Sequence, residues 1–89
     1  MRESTIEDYL VKRVKEMGGE IRKVRWIGRN GAPDRLVMLP EWSCWVELKA
    51  PGEKAKPHQI REHERIRKAG LSVAVIDSLE GVDELLGVV

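Results

Sequence analysis

Ile6, Leu10, Val14 and Met17 recur at three- to four-residue spacing, which is the period of one apolar stripe along a helix. Ser4-Thr5-Ile6-Glu7 has the S-x-x-E form of a capping box, and Gly18-Gly19 follows the run; together they bound a first amphipathic helix. From Ile21 to Ile27 the pattern changes: Ile21, Val24 and Trp26 are interleaved with Arg22, Lys23 and Arg25, which predicts a strand. Gly28-Arg29-Asn30-Gly31-Ala32-Pro33 reads as a loop. Asp34 to Leu39 and Cys44 to Ala50 are rich in Val, Leu, Met and Trp and flank Pro40-Glu41-Trp42-Ser43, so they are expected to form a hairpin around that four-residue turn. Pro51-Gly52 ends the third strand, and Gly52 to Lys56 is a loop. Pro57 opens a second helix that runs to about Ala69 and stops at Gly70. Its inner face is expected to hold Ile60, Ile66 and Ala69, with His63 among them. Leu71 to Ile76 is a continuous apolar run of the kind buried on both faces, hence a central strand. A short helix from about Leu79 to Leu86 completes an αβββαβα order, an α/β fold with a mixed central sheet flanked by helices.

Length keeps this to one domain, residues 1–89, because 89 residues support a single small core. Charged residues make up 35% of the chain and hydrophobic residues 42%, a globular balance rather than a disordered one. No apolar stretch approaches the length of a membrane span. Met1-Arg2-Glu3-Ser4-Thr5 lacks the apolar segment of a signal peptide, and Cys44 has no second cysteine to pair with; an intracellular, reducing setting is the expectation. The net charge of +1 conceals a separation. Residues 71–89 have no Lys or Arg and hold four acids, Asp77, Glu80, Asp83 and Glu84, whereas residues 1–70 carry all 16 Lys+Arg against the other 11 acids. A basic body with an acidic end is compatible with a nucleic-acid partner.

Candidate chemistry depends on hairpin register. If Leu39 faces Cys44, Asp34 pairs with Lys49 and Leu36 with Glu47, and Asp34, Glu47 and Lys49 share one sheet face. A slip of one residue would send Asp34 to the other face. Two carboxylates so placed repel unless a cation sits between them. A hard divalent ion with oxygen ligands and retained waters suits such a pair, and it would activate water against a phosphodiester. Lys49 would orient that water or offset charge in the transition state. The residues alone therefore lead to metal-dependent phosphodiester hydrolysis.

Gly31-Ala32-Pro33-Asp34, then Glu47-Leu48-Lys49 beginning 13 residues after Asp34, then Gln59 at the start of the second helix, resemble the PD-(D/E)xK nuclease superfamily. With Glu7 on an N-terminal helix, the G-x-P-D, E-x-K and Gln pattern is similar to the VRR-NUC family in its stand-alone viral and bacterial form. The resemblance implies a restriction-endonuclease-like core. It also implies Asp34, Glu47 and the backbone carbonyl of Leu48 as ligands of Mg²⁺ or Mn²⁺, and Lys49 as the catalytic lysine. Glu7 would help hold the metal or its water shell, and Gln59 would support the site. It further implies a homodimer that cuts branched DNA in the manner of Holliday junction resolvases, in the cytoplasm of a bacterial or phage-infected cell. A nuclease for flap, nicked or other DNA, and a non-catalytic nucleic-acid-binding module of the same fold, stay open as alternatives.

Arg22, Lys23, Arg25, Arg29, Lys54 and Lys56 flank the candidate site in sequence and are expected to include contacts to DNA phosphates. Arg35 falls on the opposite strand face from Asp34 and is expected to be structural or to contact a partner subunit. His63 is expected in the core or at its boundary rather than as a ligand. Trp26, Trp42 and Trp45, with Leu85, Leu86, Val88 and Val89, are apolar surface in need of cover, for which a subunit interface is one solution.

Overall fold

A computed structural model describes residues 1–87 and has the expected αβββαβα order. The elements are α1 (Glu3–Glu16), β1 (Glu20–Lys23), β2 (Arg35–Leu39), β3 (Trp42–Leu48), α2 (Pro57–Lys68), β4 (Val73–Ile76) and α3 (Leu79–Leu85). The sheet order is β1-β2-β3-β4, antiparallel through β3 and parallel between β3 and β4. Two hairpin connections lay down the first three strands, and the α2 crossover adds the fourth.

The core forms on one sheet face. Val37 of β2, Cys44, Val46 and Leu48 of β3, and Ile76 of β4 meet Ile6, Leu10 and Val14 of α1 and Val82 and Leu86 nearby. The helical period of α1 and the alternation of β3 therefore point the same residues inward, as the sequence pattern requires. Tyr9 Oη donates to Asp83 Oδ1 at 2.7 Å, tying α1 to α3, and this bond holds the Tyr9 hydroxyl above its ordinary pKa. On the opposite face, α2 contributes Ile66 and His63, and Glu62 is buried beside them.

Several elements differ from the sequence expectation. α1 begins at Glu3 with Arg2 as N-cap, and no side chain caps it; the Arg2 carbonyl accepts from Thr5 N and Ile6 N instead. Ser4 thus lies inside the helix, and the S-x-x-E box is not formed because Glu7 turns toward Arg35. β1 stops at Lys23 rather than Ile27. Its partner β2 begins only at Arg35; beyond a last bond from Val24 N to Asp34 O at 2.9 Å the chain departs into a loop. The hairpin turn is Pro40-Glu41 alone, with Leu39 opposite Trp42. Drawing Trp42 into β3 packs its ring against the core, where a large aromatic surface is best placed.

β4 is an edge strand, not a central one, since the crossover places it outside β3. Val73 and Ile76 are buried, but Val75 is exposed. The buried face of α2 is Glu62, His63 and Ile66, whereas Ile60 is exposed. The tryptophans find cover within the chain: Trp26 and Trp45 pack with ring centroids 4.8 Å apart, and Leu86 is buried and Leu85 packs against the core. The tryptophans and Leu85 stay partly exposed on this chain, while Val88 and Val89 lie outside the described residues. No helix among the described residues is long and apolar enough to cross a membrane.

Candidate active site

The hairpin register is displaced by two residues from the expected one. Arg35 pairs with Val46 and Leu36 with Trp45, so Asp34, one residue before β2, lies opposite Glu47. An even displacement preserves side-chain faces; Asp34, Glu47 and, two residues on, Lys49 share the face away from α1. Directly opposed strand positions have Cβ atoms about 4.5–5.5 Å apart. Lys49 N donates to Ile76 O at 2.9 Å, which fixes the backbone just past β3.

Glu47 records the electrostatics of the site. Its carboxyl is pushed up to about 7, first by burial and then by the Asp34 charge, with Glu3 acting in the same direction; Lys49 and Arg35 oppose the shift. Facing it from α2, His63 Nε2 lies 3.8 Å from Glu47 Oε1. His63 is 1% exposed and this nitrogen has no hydrogen-bond partner. Burial first, then Arg67 and Lys49, lower the imidazole pKa. Burial thus works against charge on both partners of this contact.

Arg35 lies on the α1 face and bridges to the site. It pairs with Glu7 and places Nη1 3.1 Å from Asp34 Oδ2. Glu7 therefore touches the candidate carboxylates through Arg35 rather than directly. Gln59 Oε1 accepts from Lys56 N at 2.8 Å and so caps the first turn of α2. Gly31 explains why loop and helix meet here: its φ is +81°, and a Cβ would lie 2.9 Å from His58 O and 3.1 Å from Gln59 Cα. Pro33 is fully buried, and its carbonyl accepts from Trp26 Nε1 at 2.8 Å. The G-x-P-D segment is thus the packing that lays the loop against α2 and delivers Asp34.

An open groove of about 850 Å³ lies along this loop, lined by Lys23, Arg25, Arg29 and Asn30 and also by Asp34. Arg29 is not free in it. Its Nη2 donates to Glu62 Oε1 at 2.6 Å and its Nε to Oε2 at 3.3 Å, and Arg65 donates to the same carboxylate at 3.0 Å. These bonds hold the Glu62 carboxyl below the usual range despite its burial. Arg22 pairs with Glu20 at 3.0 Å, while Lys54 and Lys56 are exposed in the loop before α2.

Sequence reasoning did not find Glu62, the approach of His63 to Glu47, or the nearness of Glu3. The i,i+3 spacing of Glu62 and Arg65 was a visible signal; the long-range pairing with Arg29 had none. No group of three or more His, Cys, Asp and Glu side chains able to hold a metal is present among the described residues. The donor set is two opposed carboxylates and nearby backbone carbonyls, with a buried orphaned nitrogen behind one of them. It suits a hard divalent cation that keeps most of its waters, and does not suit a closed structural metal centre.

A mixed four-stranded sheet between helices, presenting opposed carboxylates and a lysine at one strand end beside a basic groove, defines the architecture of the PD-(D/E)xK type. A solved "VRR_NUC domain" superposes with a TM-score of 0.86 at 44% identity, over 96% of this chain and 94% of that one. The protein named "Putative nuclease p44", from Acyrthosiphon pisum secondary endosymbiont phage 1, is 49% identical over 79 residues, 88% of this chain and 85% of that protein. No protein-family model matches. The chain belongs to the VRR-NUC family.

Proposed function

We propose that the chain is a divalent-metal-dependent DNA endonuclease that hydrolyses phosphodiesters. Its preferred substrate is branched DNA, four-way junctions in particular, and it acts as a homodimer in the cytoplasm of a bacterial or phage-infected cell. Family membership and the phage relative named as a nuclease support the activity. The observation that carries the reading is the hairpin register, which sets Asp34 opposite Glu47 with Lys49 on the same face. Such a pair is costly to maintain unless a cation is to be held between its members.

Asp34, Glu47 and the Leu48 carbonyl would hold Mg²⁺ or Mn²⁺, which when bound supplies a water of lowered pKa and a positive centre for the phosphate. Lys49, on the same face, orients the attacking water and offsets the charge growing on the phosphoryl oxygens. Arg35 restrains the Asp34 carboxylate from behind, and through it Glu7 acts as a positioning residue. His63 backs Glu47 against rotation away from the strand end. Gln59 keeps the first turn of α2 against Gly31. Lys23 and Arg25 line the approach and neutralise backbone phosphates.

A homodimer is supported by the outer edge of β4, which pairs with no other strand among the described residues, because an unpaired edge is a natural place for a second chain. Two sites related by a two-fold axis would match the symmetry of a junction. Sedimentation equilibrium should show a dimer at micromolar concentration; a monomer there would remove this part of the reading.

The deciding experiment is cleavage of end-labelled four-way junction, flap and linear duplex DNA with Mg²⁺, Mn²⁺ or EDTA. Paired symmetric cuts on the junction are expected, lost in EDTA and in Asp34→Ala, Glu47→Ala and Lys49→Ala, which should stay folded. Metal-dependent cutting confined to flap or duplex would keep the enzyme and replace its substrate. Binding without cutting under any metal would make the chain a non-catalytic module.

A further inference from the structure

The loop from Val24 to Asp34 does more than deliver its last residue. Ile27 on this loop is 92% exposed, the most exposed large apolar side chain among the described residues. A lone isoleucine on a slack loop would need no explanation, but this one sits between two anchors. One position earlier, Trp26 is fastened by its bond to the Pro33 carbonyl and by packing on Trp45. Two positions later, Arg29 is forked onto buried Glu62 of α2. Gly28, with φ +81°, makes the bend between them. The loop thus binds its neighbours through Trp26, Arg29 and Pro33 and turns residue 27 into water.

Ile27 also lines the basic groove, with Lys23 and Arg25, of which Asp34 is a wall residue. Cations suffice to follow a phosphate backbone. An aliphatic tip among them adds nothing to that task, but aliphatic side chains of this kind enter gaps between base steps and unstack them. We propose that Ile27 is a wedge that inserts into the base stack of DNA at a branch point or other break in stacking, beside the phosphodiester presented to Asp34. The anchored loop then selects distorted DNA by the ease of unstacking and not by sequence. This inference rests on the nuclease reading above.

The test uses a four-way junction carrying 2-aminopurine at the branch point and a linear duplex with the same label, bound by the full chain in Ca²⁺, with cleavage in Mn²⁺ followed in parallel. Wild type should raise the fluorescence of the junction and leave that of the duplex unchanged. Ile27→Ala should abolish the rise and lower the preference for junction over duplex by about tenfold, the scale set by burying one aliphatic side chain. Duplex affinity and melting temperature should be unchanged, and Ile27→Leu should restore the fluorescence. An unaltered rise and preference in Ile27→Ala would overturn the wedge. So would junction cleavage by wild type without any rise, which leaves the nuclease reading intact. Failure of wild type to bind or cut any of the DNAs would overturn both.

Discussion

At Glu47, burial and the Asp34 charge act together against ionisation, and the consequence for stability has a definite sign. The carboxyl rises from an ordinary 4.5 to about 7 in the folded chain. Below about pH 4.5 it is protonated in both folded and unfolded states, so its contribution is fully present; between there and about 7 the folded state alone keeps the proton and stability falls, the loss being complete once pH has passed through 7. The difference corresponds to roughly 3 kcal/mol. Metal-free Glu47→Gln should therefore be more stable than wild type at pH 8 by up to that amount, with the gap closing near pH 4. Urea melts at the two values check this, and an equal gap at both would refute it. Gly31 makes a different demand. Because its φ is positive and a Cβ would press on the His58 carbonyl and Gln59 Cα, Gly31→Ala should cost about 1–3 kcal/mol. It should also lower cleavage more than it lowers DNA binding, since the displaced loop carries Asp34.

Among the elements, α2 orders the site, and little of that was legible in the chain. The helix itself could be read from Pro57 and Gly70. The face it buries could not, because buried Glu62 is paired with Arg29, a partner 33 positions away, as well as with Arg65 on its own helix. Arg29→Ala leaves Glu62 with Arg65 alone. It should lower the melting temperature, since a charge-assisted fork onto a buried carboxylate is lost. Amide exchange in residues 26–31 should quicken; unchanged exchange there would mean the fork does not hold the loop. The strands show the same division. Alternation in β2 and β3 fixed which side chains share a face, so the grouping of Asp34, Glu47 and Lys49 survived a hairpin two residues tighter than expected. Strand ends were another matter: β1 is shortened by the late start of its partner, and β4 became an edge through the path of the crossover. Neither property is encoded within the strand concerned. Glu7 was legible as a helix residue of interest, but its ion pair with Arg35 joins two elements and left no local trace.

For the molecule as a whole, one apolar layer carries most of the cohesion, and α1, α3 and three strands contribute to it. Domains of this size bury only about 60–65% of the surface their unfolded chains expose, so bound metal, DNA or a second subunit should each add measurable stability. Cys44 lies within that layer, 2% exposed, with its thiol pushed up to about 11 by burial. A thiol so placed reacts only when the layer parts. Labelling by a thiol reagent at pH 8 should be at least about a thousandfold slower than in urea-unfolded chain, and rapid labelling of the native protein would contradict the burial. The lone sulfur thereby makes the protein its own stopwatch: each labelled molecule has opened once, so the reagent counts how often the fold comes apart, and by how much a ligand delays it, without any dye or added reporter.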